Sequence, residues 1–247
     1  MELKDITAVI TGSSGRLGSA IALAIAAAGG RCICHYNKNE QKARELVDKI
    51  KETGSKALAV QADLTKAGQI EKLFTTSGEF DTPRVLINSA GVFSRMPLSD
   101  VTFEEAQQVL NLNLTASVLT SQAFAKNIRS KYPDAEMPVG KIVNISDIGG
   151  IRPWAGYVLY CSSKAGLIGA TKALAKELAP AICVNSVAPG VIIMPEDYGQ
   201  SQHKRQLSFI PMARFCRLEE LTASILFLLQ SEYITGQVLN VDGGRCI

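Results

Sequence analysis

The chain has 247 residues, 47% hydrophobic and 20% charged, a mixture that excludes a disordered chain, a collagen-like repeat and a disulfide-built miniature. Its 26 basic and 23 acidic residues leave a net charge of +3, too small and too scattered to imply a nucleic-acid surface. The longest apolar run, Ala20 to Ala28, falls well short of the ~20 residues that cross a membrane. In chain order, strands are expected at Ala8–Ile10, Arg31–His35, Ala57–Gln61, Val85–Ile87, Lys141–Ile145, Cys183–Val187 and Gln237–Asn240. They are short, rich in Val and Ile, and several are apolar on both faces, as strands of a covered parallel sheet are. Between them the periodicity predicts helices at Ser19–Ala28, Glu40–Glu52, Ala67–Thr76, Phe103–Lys126, Tyr157–Leu178 and Leu218–Leu229. The first strand begins so soon after Met1 that no secretory leader is expected.

Strand and helix alternating this often imply right-handed βαβ units and a parallel sheet covered on both sides. No linker, composition break or repeat divides the chain, so residues 1–247 are expected to form one doubly wound α/β domain. Pro133–Gly140 and Ile193–Phe209 lose periodicity and read as insertions, the second a candidate mobile segment over the ligand site. The six cysteines are dispersed without a C-x-x-C, and Cys32 and Cys34 share one strand face. Reduced thiols of a cytosolic protein explain them. Two histidines without ligand spacing make a metal site an unsupported reading.

The first strand runs into Thr11-Gly12-Ser13-Ser14-Gly15-Arg16-Leu17-Gly18 and at once into an Ala-rich helix. Glycines let the backbone turn sharply and approach a pyrophosphate, whose charge is met by helix N-terminal amides. In the first βα unit this spacing points to a dinucleotide. The second strand ends His35-Tyr36-Asn37-Lys38, without the acidic residue that accepts from an NAD ribose hydroxyl. With Arg16 close by, Lys38 favours the 2′-phosphate of NADPH. Asp63, after the third strand, either accepts from the adenine amino group or caps the next turn. Tyr160 and Lys164 stand at i and i+4 on one helix face. An ammonium there stabilises phenolate and is expected to lower the phenol pKa from its reference near ~10, making a proton donor beside a nicotinamide.

With Asn88-Ser89-Ala90-Gly91, Asn113 in Asn111-Leu112-Asn113-Leu114, and Pro189-Gly190, the chain resembles the short-chain dehydrogenase/reductase family over essentially its whole length. The resemblance implies a seven-stranded Rossmann-like subunit, commonly a homotetramer. It implies Tyr160 as acid, Lys164 on the nicotinamide ribose, Asn113 holding a relay water, and Asn88 bracing the central strand. Cofactor contacts from Leu64, Ala90, Gly91, Val191 and Ile192 follow from the same resemblance.

Three departures bear on substrate. Where most members carry Ser, thirteen residues before the tyrosine, this chain has Asp147, with Ser146 beside it. Arg16 replaces the middle glycine, and Met194 a threonine that often follows Pro-Gly. The first two resemble the pteridine reductase branch, as do Phe93, Gly156–Tyr160, and the ending from Tyr233-Ile234-Thr235-Gly236 to Val241-Asp242-Gly243-Gly244. Gly91 and the helix from Asn39 to Gly54 instead resemble 3-oxoacyl-carrier-protein reductases. An ionised Asp147 cannot donate to a forming alkoxide but suits a ring bearing N–H groups. Arg16 could face that ring as well as the cofactor phosphates. Either Asp147 faces the cleft, or it turns away and Ser146 takes the usual role. Phe93 is either a pterin-stacking residue or a plain wall. The expected function is NADPH-dependent reduction of a dihydropterin. A 3-oxoacyl thioester or other ketone is the alternative, and a non-catalytic nucleotide sensor the rival from another class.

Overall fold

The computed structural model describes residues 1–75, 80–192 and 199–247. Seven parallel strands form one sheet in the order β3-β2-β1-β4-β5-β6-β7. They are β1 (Thr7–Ile10), β2 (Arg31–Tyr36), β3 (Ala57–Gln61), β4 (Val85–Asn88), β5 (Gly140–Ile145), β6 (Ile182–Pro189) and β7 (Val238–Val241). The side-chain period of two divides the apolar strands between two cores. Ala8, Ile10, Cys32, Cys34, Val85 and Ile87 enter one, and Val9, Ile33 and Leu86 the other. Each fully buried Ile or Leu contributes about 1.5–3 kcal/mol, and Ile10, Ile33, Leu86 and Ile87 are all fully covered.

The first core is closed by α1 (Arg16–Ala27), α2 (Glu40–Glu52) and α9 (Leu218–Gln230), the second by α3 (Ala67–Ile70), α4 (Lys72–Thr75), α6 (Ala116–Lys131) and α7 (Val158–Leu178). The fold is therefore the expected doubly wound Rossmann-like domain. Strand order reverses between β1 and β4, the crevice where such sheets bind ligands.

Three helix expectations are corrected. Phe103–Lys126 is α5 (Phe103–Leu110) joined to α6 through a π-turn at Asn111–Thr115, a distortion that hydrophobic periodicity does not register. The segment at Ala67 is two one-turn helices, and its expected end at Thr76 lies outside the described residues. Within the expected insertion Ile193–Phe209 there is a helix, α8 (Gln200–Leu207); its sequence, GlnSerGlnHisLysArgGlnLeu, is too polar to show an apolar stripe. Residues 193–198, with Met194, lie outside the described residues.

Candidate active site

The glycine turn is built by close approach of two loops. Gly12 has φ +67°, and a Cβ on it would come 2.8 Å from Ala90 Cα; a Cβ on Gly18 would meet Ser13 Cα at 2.8 Å. Thr11 Oγ1 accepts from the amides of Ser89 and Ala90, both at 3.0 Å, fastening the turn to the Asn88–Gly91 segment. No side chain caps α1, and no acidic residue stands in its first turn. Its leading amides, at Arg16, Leu17 and Gly18, are therefore suited to an anion. Arg16, Asn37 and Lys38 are exposed and Ser14 is half-buried, while Leu17 packs on the core. These residues fit a dinucleotide phosphate.

His35, Tyr36 and Leu64 are buried, so their side chains belong to the fold. His35 Nδ1 accepts from Gly12 N at 2.9 Å, and its Nε2 is 2.9 Å from Ala62 O. Nε2 is thus the donor, the ring is neutral, and burial pushes its pKa below 6.5. Asp63 Oδ1 accepts from Thr65 N at 3.0 Å and Thr65 Oγ1 at 2.6 Å, the turn-capping arrangement. Those hydrogen bonds hold its carboxyl below the ordinary value.

Asn88, fully enclosed, donates to Asn144 Oδ1 at 2.8 Å and accepts from Thr120 Oγ1 at 2.7 Å. Asn144 in turn donates to Thr171 Oγ1 at 2.9 Å, so α6, β4, β5 and α7 share one buried network. Asn113 occupies the π-turn. Its Oδ1 accepts from Val92 N at 2.8 Å, and its Nδ2 donates to Val92 O at 3.0 Å and Ser163 Oγ at 3.1 Å. Gly91 lies against it: a Cβ there would meet Asn113 Oδ1 at 3.1 Å and Lys164 Nζ at 3.8 Å.

Tyr160 and Asp147 meet directly. Tyr160 Oη donates to Asp147 Oδ2 at 2.9 Å, while Asp147 Oδ1 accepts from Gly149 N at 2.6 Å. The turn Ile148–Gly150 holds Asp147 in place because Gly150 lies on the α7 backbone, 2.7 Å from Lys164 C to an added Cβ. Asp147 therefore faces the cleft. Ser146 does not take its place: Ser146 Oγ donates to Val187 O at 3.1 Å and accepts from Ser186 Oγ at 2.7 Å, buried between β5 and β6. The one-residue shift that would expose it is blocked by these bonds.

The expected lowering of the phenol pKa is also reversed. Burial, with the Asp147 charge and hydrogen bond, holds the Tyr160 hydroxyl well above its ordinary value. Lys164 Nζ sits 5.9 Å from the Tyr160 ring centroid and donates to Ile145 O at 2.7 Å. Burial lowers its pKa to about 8. Desolvation also raises Asp147.

Aromatic rings line the mouth. Phe93, 55% exposed, stacks on Tyr157 with centroids 5.1 Å apart and meets Tyr160 edge-on at 4.8 Å. Trp154 meets Tyr157 edge-on at 5.8 Å. Sequence reasoning named Tyr157 only within the Gly156–Tyr160 run, without a place in the site, and missed Trp154 and Asn144. Pro189 ends β6, and Gly190 lies over the turn after β7, where its Cβ would meet Asp242 Cα at 2.8 Å. Val191 O accepts from Cys216 N at 3.1 Å, and Ile192 packs on the core.

A family model described as enoyl-(acyl carrier protein) reductase matches residues 12–245. The chain is 38% identical over 244 residues to a 3-oxoacyl-(acyl-carrier-protein) reductase of Synechocystis sp., across 96% of this chain and 95% of that protein. It is 36% identical over 254 residues to 3beta-hydroxysteroid dehydrogenase 1 of Eggerthella lenta, across 100% of this chain and 95% of that one. A solved short chain dehydrogenase from Burkholderia cenocepacia, in complex with NADP, is similar with TM-score 0.90 and 31% identity, covering 100% of both chains. One of these relatives is named a 3-oxoacyl reductase and another a hydroxysteroid dehydrogenase, and none of the three is named a pteridine reductase, the branch expected from Asp147 and Phe93.

Proposed function

Since the chain belongs to the short-chain dehydrogenase/reductase family and is an oxidoreductase of it, we propose that it reduces a ketone with NADPH, a 3-oxoacyl thioester being the leading substrate. The observation that carries this reading is the Tyr160–Asp147–Lys164 group beside Gly91 and Asn113, at the carboxyl ends of β4 and β5. The names of the two curated relatives both denote an oxo or hydroxy carbon. Exposed Phe93, Ile151, Phe209 and Met212 stand on the loops after β4, β5 and β6, which suits a substrate with an apolar chain. The uncapped α1, Arg16 and Lys38 would hold the NADPH phosphates. When bound, NADPH supplies the hydride.

The protein's part is to meet the charge that then develops on oxygen. Tyr160, protonated throughout the usable pH range, gives its proton to that oxygen. Asp147, its pKa raised by burial, accepts from the Tyr160 hydroxyl and orients it, at the position where a Ser hydroxyl stands elsewhere in the family. The Lys164 ammonium stabilises the phenolate left behind. Asn113 holds the Val92 backbone and Ser163 beside them, which supports its reading as anchor of a relay water.

A dihydropterin remains the second reading, favoured by the carboxyl of Asp147 at Tyr160 and by the Phe93 ring. NADPH oxidation with acetoacetyl thioester and with dihydropterin, on wild type and Asp147→Ser, separates them. We expect thioester reduction that the Ser variant keeps; reduction of dihydropterin alone, abolished by Asp147→Ser, reverses the assignment. Tyr160→Phe should lower turnover by about 10²–10⁴ with NADPH binding intact. Absence of turnover on any ketone or pterin would instead support a sensor. Family membership supports a homotetramer, to be checked by light scattering, and six free thiols suit the cytosol.

A further inference from the structure

The carboxyl end of the chain brings a cation to the site that the proton chemistry does not use. After β7, Asp242 accepts from Gly244 N at 2.9 Å and Cys246 N at 2.8 Å, curling the tail beside Gly190. Gly243 and Gly244 turn at φ +65° and +86°, and Arg152 Nη1 donates to Arg245 O at 3.1 Å. The Arg245 guanidinium is thereby set between two rings, its Cζ 5.8 Å from the Trp154 centroid and 5.9 Å from that of Phe209. Trp154 also borders Asp147: a Cβ on Gly149 would meet Trp154 Cζ3 at 3.0 Å and Asp147 Oδ1 at 3.1 Å.

Arg245 Nη1 is buried, yet it has no hydrogen-bond partner among the described residues. The nearby carboxylates are engaged elsewhere, Asp147 by Gly149 and Tyr160, and Asp242 by its own tail amides. A guanidinium clamped between aromatic faces has its plane and its N–H directions set before a ligand arrives. A buried N–H without a partner among the described residues gains from an acceptor oxygen that a ligand brings to it.

We propose that Arg245 is a specificity residue, hydrogen-bonding the second acceptor oxygen of a 1,3-dicarbonyl substrate whose ketone oxygen lies at Tyr160 and Asp147. The proposal rests on the ketone reading above. The acceptor is either a thioester carbonyl or a free carboxylate, one methylene from the ketone carbon. Burial weakens the hold of Arg245 on its proton while Asp147 strengthens it, and the group stays charged at any working pH.

The test uses the full chain with NADPH and three ketones: acetoacetyl-N-acetylcysteamine, acetoacetate and 2-pentanone, which lacks the second oxygen. Arg245→Met, which keeps an apolar stem between the rings, should raise KM for a dicarbonyl at least tenfold with kcat changed less than about threefold. Its effect on 2-pentanone should be at least tenfold smaller, and Arg245→Lys should recover part of the loss. The larger penalty on acetoacetate identifies a carboxylate, on the thioester a carbonyl. Melting temperature and NADPH fluorescence report whether each variant folds; if the Met variant does not, Arg245→Lys is read by the same ratio between substrates. An equal penalty on all three ketones, or none, overturns the proposal while leaving ketone reduction standing. A wild type that reduces none of the three overturns both.

Discussion

At Asp147 two demands meet in one carboxyl group. It accepts from Tyr160 and from Gly149 N, which favours its charge, yet desolvation is the larger influence and raises its pKa. A carboxyl whose folded pKa lies above its unfolded value of 3.8 contributes stability that is present below that pH and lost as pH rises through the folded value. Asp147→Asn should therefore gain on wild type in melting temperature as pH is raised from about 4 to about 8; a constant difference would show the carboxyl is not strained. The neighbouring Lys164 acts on the same alkaline side, on the proposed activity rather than on stability. Lys164 loses its proton near about 8, so kcat/KM for ketone reduction should fall roughly tenfold per pH unit above that value. A profile flat to higher pH would remove the ammonium from the reaction. The identities of Tyr160, Lys164 and Asp147 were legible in the chain. Whether Asp147 or Ser146 faces the cleft was not, because that depends on hydrogen bonds Ser146 makes to residues forty positions away on β6.

Between elements, buried polar side chains do the fastening. His35 ties β2 to the glycine turn and to the residue after β3, and only its neutral ring can accept from Gly12 N. Its pKa is depressed below 6.5, so the stability it contributes is present above 6.5 and is lost as pH falls toward the folded value. Wild type should thus lose melting temperature on acidification below about 6.5, and His35→Gln should lack that slope. If both slopes match, the ring is not the acid-sensitive link. The Asn88–Asn144–Thr171 chain is a second fastening. Asn88→Ala leaves buried partners on β5 and α6 unmatched, at about 1–3 kcal/mol for each. Urea denaturation should show a loss of that order, and a loss below about 0.5 kcal/mol would mean the network rearranges. Strands were readable because each is apolar and bounded by turn residues. The π-turn at Asn111–Thr115 was not, since one inserted residue leaves the apolar pattern of both flanking helices intact.

For the molecule as a whole, the sheet carries the dinucleotide crevice at its topological switch, so cofactor and fold should be coupled. NADPH at about 100 times its dissociation constant should add about 2.7 kcal/mol, a rise of roughly 5–10 °C in a chain of this size. NADH at the same concentration should give less, and Arg16→Ala with Lys38→Ala should erase the difference. Equal shifts from both cofactors in wild type would remove the 2′-phosphate from the account. What the residues determined without coordinates was whatever short-range rules encode: seven apolar strands, the alternation that makes their sheet parallel, the glycine turn, and the Tyr160/Lys164 helix face. What tertiary structure alone decided depended on groups far apart in the chain. The direction of the Tyr160 pKa shift comes from desolvation and an aspartate thirteen residues away. The place of Arg245 beside Trp154 comes from a turn packed under Gly190. Burial and long-range contact are properties of the folded volume, and no local spacing carries them.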